Sequence, residues 1–273
     1  MPDARKINTE PKPRLGGLGF FASSALLLLF FVTKNDTVAA IICGGSILVA
    51  GGVLDDTYDI PPLLKLLIQS SAALVSIAIV GIPSELSLFG LVKIPLFGLF
   101  GFVISFFRIV FTVNAVNFSD GLDGLASGLS FVAFISLYVY GIANINTIPA
   151  LGALILAFSV LGFIPYNKYH AKIFMGDSGS QFLGLSIALL SLECAPRGSF
   201  TVETSLFLAI PTLDTFFSVV RRLLKGKSPF SADKGHLHHI LISFGIEHPT
   251  AVKILVSLSA LVASVTLVFI INA

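Results

Sequence analysis

Three aspartates lie within the segment 55–59, DDTYD, which follows a long apolar stretch and precedes Pro61 and Pro62. Carboxylates this close together at a membrane boundary repel one another and lose hydration, so they need a cation or a raised pKa. A divalent metal is their natural partner, with Asp55 and Asp56 as the first candidates. A solvated, negatively charged helix end is the plainer alternative.

A second polar segment, 114–124, reads NAVNFSDGLDG and interrupts another apolar region. Its polar residues recur every third position, so Asn114, Asn117 and Asp120 can turn toward one side, and Asp123 follows. The two glycines permit tight turns. The segment can therefore present amide and carboxylate oxygens to a polar ligand, although Asn, Asp and Gly also commonly just end a helix.

A third segment, 174–180, reads FMGDSGS and leads into an apolar run. Small residues let backbone N–H groups approach an anion, and a helix N-terminus favours phosphate. Asp177 is compatible with phosphate only if it holds a metal that bridges to it. The same residues could instead form a helix N-cap.

The fourth segment, 221–239, combines arginines and lysines with His236, His238 and His239. These side chains can donate to the oxygens of a nucleotide diphosphate or a lipid phosphate. Zinc is the weaker alternative because no cysteine lies nearby and carboxylate-rich sites suit Mg²⁺ better. Lys225 is more typical of a residue that anchors the segment to anionic lipid headgroups.

Two polar positions fall inside apolar stretches. Lys65, with Gln69 on the same helical face, is costly in lipid, so it either faces the interior, where it can meet a phosphate, or snorkels to the interface. Asp214 is interpreted as a helix-packing or hydrogen-bonding residue and not as a catalyst.

The elements that must position these segments are membrane helices. The 273 residues are 55% hydrophobic and only 12% charged, with a mean hydropathy of +0.94. This composition predicts one all-α, polytopic transmembrane domain over 1–273, and no basic tail suggests nucleic-acid binding. About nine apolar stretches can form spans: 16–32, 38–54, 63–82, 96–113, 125–142, 148–166, 182–194, 205–220 and 251–271.

Positive charge gives an orientation to this bundle, because short cytoplasmic loops are rich in Lys and Arg. With a cytoplasmic N-terminus, nearly all basic residues, Arg108 among them, fall on or near the cytoplasmic side. The four polar segments then share that face. The stretch 84–95 is predicted to form a small hairpin on the outer side.

Taken in order, these motifs resemble the polyprenyl-phosphate N-acetylhexosamine-1-phosphate transferase superfamily (glycosyltransferase family 4). Within it, the chain is most similar to the undecaprenyl-phosphate N-acetylglucosamine-1-phosphate transferase branch. The resemblance covers nearly the whole chain and rests on the following residues: Arg5-Lys6, Pro11 to Gly17, Asp55-Asp56, Lys65 with Gln69, 114–124, Gly176-Asp177, and 229–239.

The resemblance implies an Mg²⁺-dependent enzyme, with Mn²⁺ as a substitute, that transfers a GlcNAc 1-phosphate from a UDP-N-acetylhexosamine to polyprenyl phosphate and releases UMP. It implies a multi-pass protein of the plasma membrane, active on its cytoplasmic face in cell-envelope glycan synthesis, and a homodimer. The implied site residues are, for catalysis, Asp55, Asp56, Asp120 and Asp123; for substrate binding, Lys65, Asn114, Asn117, His236, His238 and His239; and for the metal, Asp177 with Asn117.

Two departures from the family pattern bear on this interpretation. The family commonly has a membrane helix before the Arg5-Lys6 segment, so a shortened form or a late start is expected, and it often has His where this chain has Asn8. Three alternatives stay open: a phospho-MurNAc-pentapeptide transferase, whose histidines are usually more compactly spaced; a cation transporter that uses the membrane-boundary carboxylates; and an inactive scaffold.

Overall fold

The computed structural model describes residues 12–32, 35–196, 199–226 and 235–272, which form a helical bundle with one small sheet. The helices are α1 Gly16–Phe31, α2 Asp36–Tyr58, α3 Pro62–Val80, α4 Gly98–Phe118, α5 Leu125–Ala143, α6 Thr147–Asn167, α7 Gly176–Glu193, α8 Ala209–Leu224, α9 Leu237–Ser243 and α10 His248–Asn272. The strands are β1 Glu85–Leu88, β2 Val92–Pro95 and β3 Ser199–Thr201, and a 3₁₀ helix, Glu203–Leu208, leads into α8. Outside the described residues lie parts of the predicted motifs: Arg5, Lys6, Asn8, Pro11 and 229–234.

The predicted all-α, polytopic membrane fold is confirmed, although the predicted count of spans is not. Each of the nine predicted stretches overlaps a helix. Within the described ranges, seven helical segments are long and apolar enough to cross a membrane. One of these segments, Glu203–Leu224, consists of the 3₁₀ helix followed directly by α8. Helix α1, with 16 residues, is too short by this measure, and α7 begins with polar and small residues.

Helix α7 is the centre of the bundle. It packs against α1, α2, α4, α5 and α6, and nearly all of its residues are buried. A helix enclosed by other helices does not need a continuous lipid-compatible surface, so it can carry polar residues at one end. The sequence analysis predicted that this span begins at 182, because residues 176–181 are polar or small and lower the local hydropathy.

Glycines allow α1 and α2 to approach the first turn of α7 closely. A Cβ at Gly17 would overlap the backbone of Gly179, and a Cβ at Gly52 would overlap that of Ser178. Small residues at helix contacts permit this kind of backbone approach inside a membrane. The C-terminal end of α2, which carries Asp55 and Asp56, is thereby held against the N-terminus of α7.

The small sheet lies at the opposite end of α7. Strands β1 and β2 form an antiparallel hairpin, which confirms the hairpin predicted for 84–95, and β3 pairs with β1 in parallel. The side that this hairpin faces stays a prediction. Strand β3 and the 3₁₀ helix were not predicted, because both fall in short segments at the boundary of an apolar stretch.

Arg108 does not lie with the four polar segments, contrary to the expectation from positive charge. Its guanidinium donates to Ser191 Oγ at 2.7 Å, Thr204 Oγ1 at 2.6 Å, Ser205 Oγ at 3.0 Å and the Thr201 carbonyl at 3.3 Å. These partners belong to the far end of α7 and to the segment that follows it. Counting charges along the sequence cannot detect an arginine whose donors are satisfied inside the bundle.

We expect Gly17→Ala to lower the free energy of unfolding by about 1–3 kcal/mol, because the added methyl group meets backbone that cannot rotate away. Gly19→Ala is the matched control, since position 19 lies in the same helix and a Cβ there meets nothing within 4 Å. The thermal midpoints of both variants, measured in detergent, test this. Equal midpoints for the two variants would contradict the close contact of α1 with α7.

Candidate active site

Lys65 joins two of the predicted carboxylates. Its Nζ lies 2.5 Å from Asp55 Oδ2 and 3.6 Å from Asp177 Oδ2. Asp55 lies in the last turn of α2, Lys65 in the first turn of α3 and Asp177 in the first turn of α7. Asp55 Oδ1 also accepts from the Ile60 backbone N–H at 3.0 Å, which fixes the turn between α2 and α3. Of the two alternatives for Lys65, the structure therefore shows the one that faces the bundle interior.

Asp56 contacts the beginning of α7. Its Oδ1 accepts from the Asp177 backbone N–H at 3.4 Å and lies 3.8 Å from the Arg14 guanidinium. A helix N-terminus favours a carboxylate at this position. Gly176 adopts φ +71°, and a Cβ there would collide with Asp56 Oδ2, so both the backbone conformation and the space require glycine.

A chain of three amide side chains, the last two of them buried, leads to Asp177 from α4. Asn114 donates to Gln69 Oε1 at 2.7 Å, Gln69 donates to Gln181 Oε1 at 3.3 Å, and Gln181 donates to Asp177 Oδ2 at 3.4 Å. One α4 turn farther on, Asn117 donates to Ser180 Oγ at 2.9 Å and also interacts with the Asp177 carboxylate. The predicted segments 114–124 and 174–180 therefore meet side by side.

The loop after α4 carries the other two predicted catalytic aspartates. Asp120 is half-buried, and burial raises its pKa well above the usual range, with the nearby Asp177 carboxylate adding to the rise. Asp123 is buried, and its Oδ2 accepts from the Ala171 backbone N–H at 2.9 Å. Asp123 therefore ties this loop to the segment that precedes α7, while Asp120 lies within the influence of the carboxylate cluster.

The three predicted histidines pack beneath the same loop. His236 Nδ1 lies 2.9 Å from Asp214 Oδ2, and Asp214 Oδ1 accepts from the Leu237 backbone N–H at 2.9 Å. The rings of His236 and His238 stack with centroids 5.7 Å apart, and His239 lies against His238. His238 is buried and so close to Gly121 that a Cβ there would overlap its Nε2. The fourth segment thus supports the 114–124 loop directly.

The carboxylates and amides of this end of the bundle fit a divalent cation. Asp56 Oδ2 is buried and has no hydrogen-bond partner in the part of the chain that the structure describes. Within that same part, no three His, Cys, Asp or Glu side chains come close enough to enclose a metal. Mg²⁺ is usually held by one or two carboxylates together with water and substrate phosphates. The residues present therefore fit a divalent cation such as Mg²⁺ or Mn²⁺, and the ion itself stays a prediction.

Three contributions were not predicted. Arg14 was predicted only as part of a family motif. Its position beside Asp56 depends on tertiary packing of the segment before α1 against the end of α2. Asp214 was predicted to be a helix-packing or hydrogen-bonding residue, and its hydrogen bonds confirm this, but no sequence signal identified its partner His236, 22 residues away. Gln181 follows Asp177 by four residues, so helical spacing alone could have placed it on the same face.

The model of glycosyl transferase family 4 matches residues 38–195. The chain belongs to this family. An undecaprenyl-phosphate alpha-N-acetylglucosaminyl 1-phosphate transferase of Thermotoga maritima is 38% identical, over 88% of this chain and 71% of the relative. The enzyme of the same name from Yersinia pestis is 30% identical, over 97% and 74%. A decaprenyl-phosphate N-acetylglucosaminephosphotransferase of Mycolicibacterium smegmatis is 32% identical, over 93% and 71%.

Membership of glycosyl transferase family 4 accounts for the order of the polar segments. The matched region 38–195 contains the ends of α2, α4 and α7 that meet at Asp177, whereas Arg14, Asp214 and the histidines lie outside it. The family resemblance proposed from the sequence is confirmed. The roles of the individual site residues stay predictions.

We expect His238→Gln to flatten the acid side of the pH–stability curve. Burial, followed by the nearby His239 and His236, lowers the pKa of His238 from 6.5 to about 4. Between these values the unfolded chain binds a proton that the folded protein does not, so stability rises with pH until it levels off above about 6.5.

Thermal midpoints of the wild type and the variant across this pH range test the expectation, with His170→Gln, an exposed histidine, as the control. A midpoint difference between His238→Gln and wild type that does not change with pH would show that His238 titrates normally.

Proposed function

We propose that the protein transfers GlcNAc 1-phosphate from UDP-GlcNAc to undecaprenyl phosphate or a related polyprenyl phosphate, with release of UMP. The observation that carries this proposal is the convergence of Asp55, Asp56, Asp177 and Lys65 at one end of the bundle, in a family whose relatives are named for this type of transfer. None of the three relatives described above is named as a transporter or a pentapeptide transferase, so those alternatives are not favoured.

In the proposed reaction, an oxygen of the lipid phosphate attacks the phosphorus next to the sugar. A new P–O bond forms there, and the bond from that phosphorus to the bridging oxygen breaks. UMP leaves with the bridging oxygen and its electron pair. The products are UMP and a polyprenyl-diphosphate sugar, so the phosphates of the two substrates are conserved.

Catalysis of such a transfer depends mainly on alignment and on neutralising charge at phosphate oxygens. Lys65 and Arg14 supply two cations beside the carboxylates. A bound Mg²⁺, held by Asp177 with Asn117 or Asp56, would supply further charge neutralisation. In this proposal Asp55, held by Lys65, aligns the lipid phosphate, and the 114–124 loop holds the nucleotide sugar.

The lipid substrate needs an apolar path to this end of the bundle. A cavity of about 420 Å³ between α4, α7 and the segment leading into α8 has apolar walls that include Phe107, Phe111 and Ile187, and it extends to Arg108 and Ser191 at the end of α7 away from Asp177. A polyprenyl chain is uncharged and flexible, so this cavity suits a distal part of that chain and not the end that carries the phosphate. We place the four polar segments on the cytoplasmic face of the plasma membrane, where UDP-sugars are available.

We expect Asp177→Asn to reduce UMP release by about two orders of magnitude or more, because the variant loses the charge that would hold the metal. The purified protein is assayed with UDP-GlcNAc, undecaprenyl phosphate and Mg²⁺, and UMP is quantified. Asp36→Asn, an exposed aspartate at the other end of α2, is the matched control and should retain wild-type activity.

Undiminished UMP release by Asp177→Asn would remove that residue from the metal role. Wild-type protein that releases no UMP with any UDP-N-acetylhexosamine, although it is folded, would contradict the proposed function. A panel of UDP-sugars in the same assay identifies the preferred donor.

A further inference from the structure

The amide chain that reaches Asp177 has a fixed direction. It begins at the Val110 carbonyl, which can only accept, and which receives a hydrogen bond from Asn114 Nδ2 at 2.8 Å. The Asn114 amide must therefore present its NH₂ group to both Val110 and Gln69 Oε1. The NH₂ group of Gln69 then donates back to Asn114 Oδ1 at 3.4 Å and onward to Gln181 Oε1, which leaves the NH₂ group of Gln181 to face Asp177 Oδ2.

We propose that this chain is a directional relay that fixes the Asp177 carboxylate, with Gln181 as the positioning residue and Gln69 acting through it. The inference rests on the metal role given to Asp177 under the proposed function. It assigns a task to Gln181, which was not among the predicted site residues, and to Gln69, which the resemblance includes only as a neighbour of Lys65 without a role of its own.

Burial prevents water from replacing the hydrogen bonds that set the direction of the relay. Gln69 and Gln181 are only 4% and 3% exposed, so neither amide can exchange its partner for bulk water. The Gln181 amide donates to Asp177 Oδ2, the same oxygen that lies 3.6 Å from Lys65 Nζ, so the last amide of the chain and the lysine fix one carboxylate oxygen from two directions.

Groups that orient a metal-binding side chain typically change metal affinity by about 10–100-fold when they are removed. Gln181→Met keeps the length of the side chain and removes its donor and acceptor. We therefore expect Gln181→Met to weaken Mn²⁺ binding by about 10-fold or more. Mn²⁺ binding to the full chain in detergent, without substrates, is followed by the loss of the electron paramagnetic resonance signal of free Mn²⁺.

A double-mutant cycle separates a relay from independent contacts. If Gln69 acts through Gln181, Gln69→Met weakens Mn²⁺ binding in the wild type and has no further effect in Gln181→Met. Activity assays should then show a lower kcat with little change in KM for UDP-GlcNAc. Ser186→Ala, in α7 two turns from Asp177, is the control for packing of this helix and should bind Mn²⁺ as the wild type does.

Thermal midpoints establish that each variant is folded. If Gln181→Met does not fold, Mn²⁺ binding by Gln69→Met, which alters the preceding amide of the chain, tests the relay instead. Wild-type Mn²⁺ affinity in these variants, with loss of binding in Asp177→Asn, would overturn the relay and leave the proposed function intact. Additive effects of the two glutamine substitutions would also overturn it. Wild-type affinity in Asp177→Asn would overturn the metal assignment, and the relay with it.

Discussion

The close approach of α1 and α2 to the first turn of α7 is the constraint on which the rest of the structure depends. Gly17 and Gly52 leave room for the α7 backbone, and Gly176 leaves room for the Asp56 carboxylate. Without this approach the polar start of α7 would face either lipid or an unfilled gap, and both are costly. Packing of small residues therefore positions the acidic pair of α2 beside Asp177.

Charge inside the bundle follows from the same constraint. Carboxylates from α2 and α7 are brought together where hydration is limited, and like charges at that distance repel. Lys65 and Arg14 reduce this repulsion from two sides, and a chain of amide side chains supplies neutral donors from a third. The arrangement leaves Asp56 Oδ2 buried and without a protein donor in the described chain, which is compatible with the proposed cation.

Much of this could be predicted from the sequence, because the signals are local. Apolar stretches located the helices, and clusters of polar or small residues at their ends, spaced by three positions in 114–124, located the segments that meet at Asp177. The missing parts depend on tertiary contacts: Arg108 satisfies its donors inside the bundle, Asp214 pairs with His236 across 22 residues, and the polar start of α7 is tolerated only because other helices enclose it. Hydropathy and charge counts contain no information on such partners.

The central claim is that a cation bound at Asp177 connects the protein to the diphosphate of the substrate. An experimental structure of the protein with UDP-GlcNAc and Mn²⁺, with the metal located by its anomalous scattering, tests this most directly. The account predicts one Mn²⁺ site in direct contact with the Asp177 carboxylate and with a phosphate oxygen of the nucleotide sugar. A nucleotide sugar bound away from the N-terminus of α7, or a metal with no contact to Asp177, would contradict it.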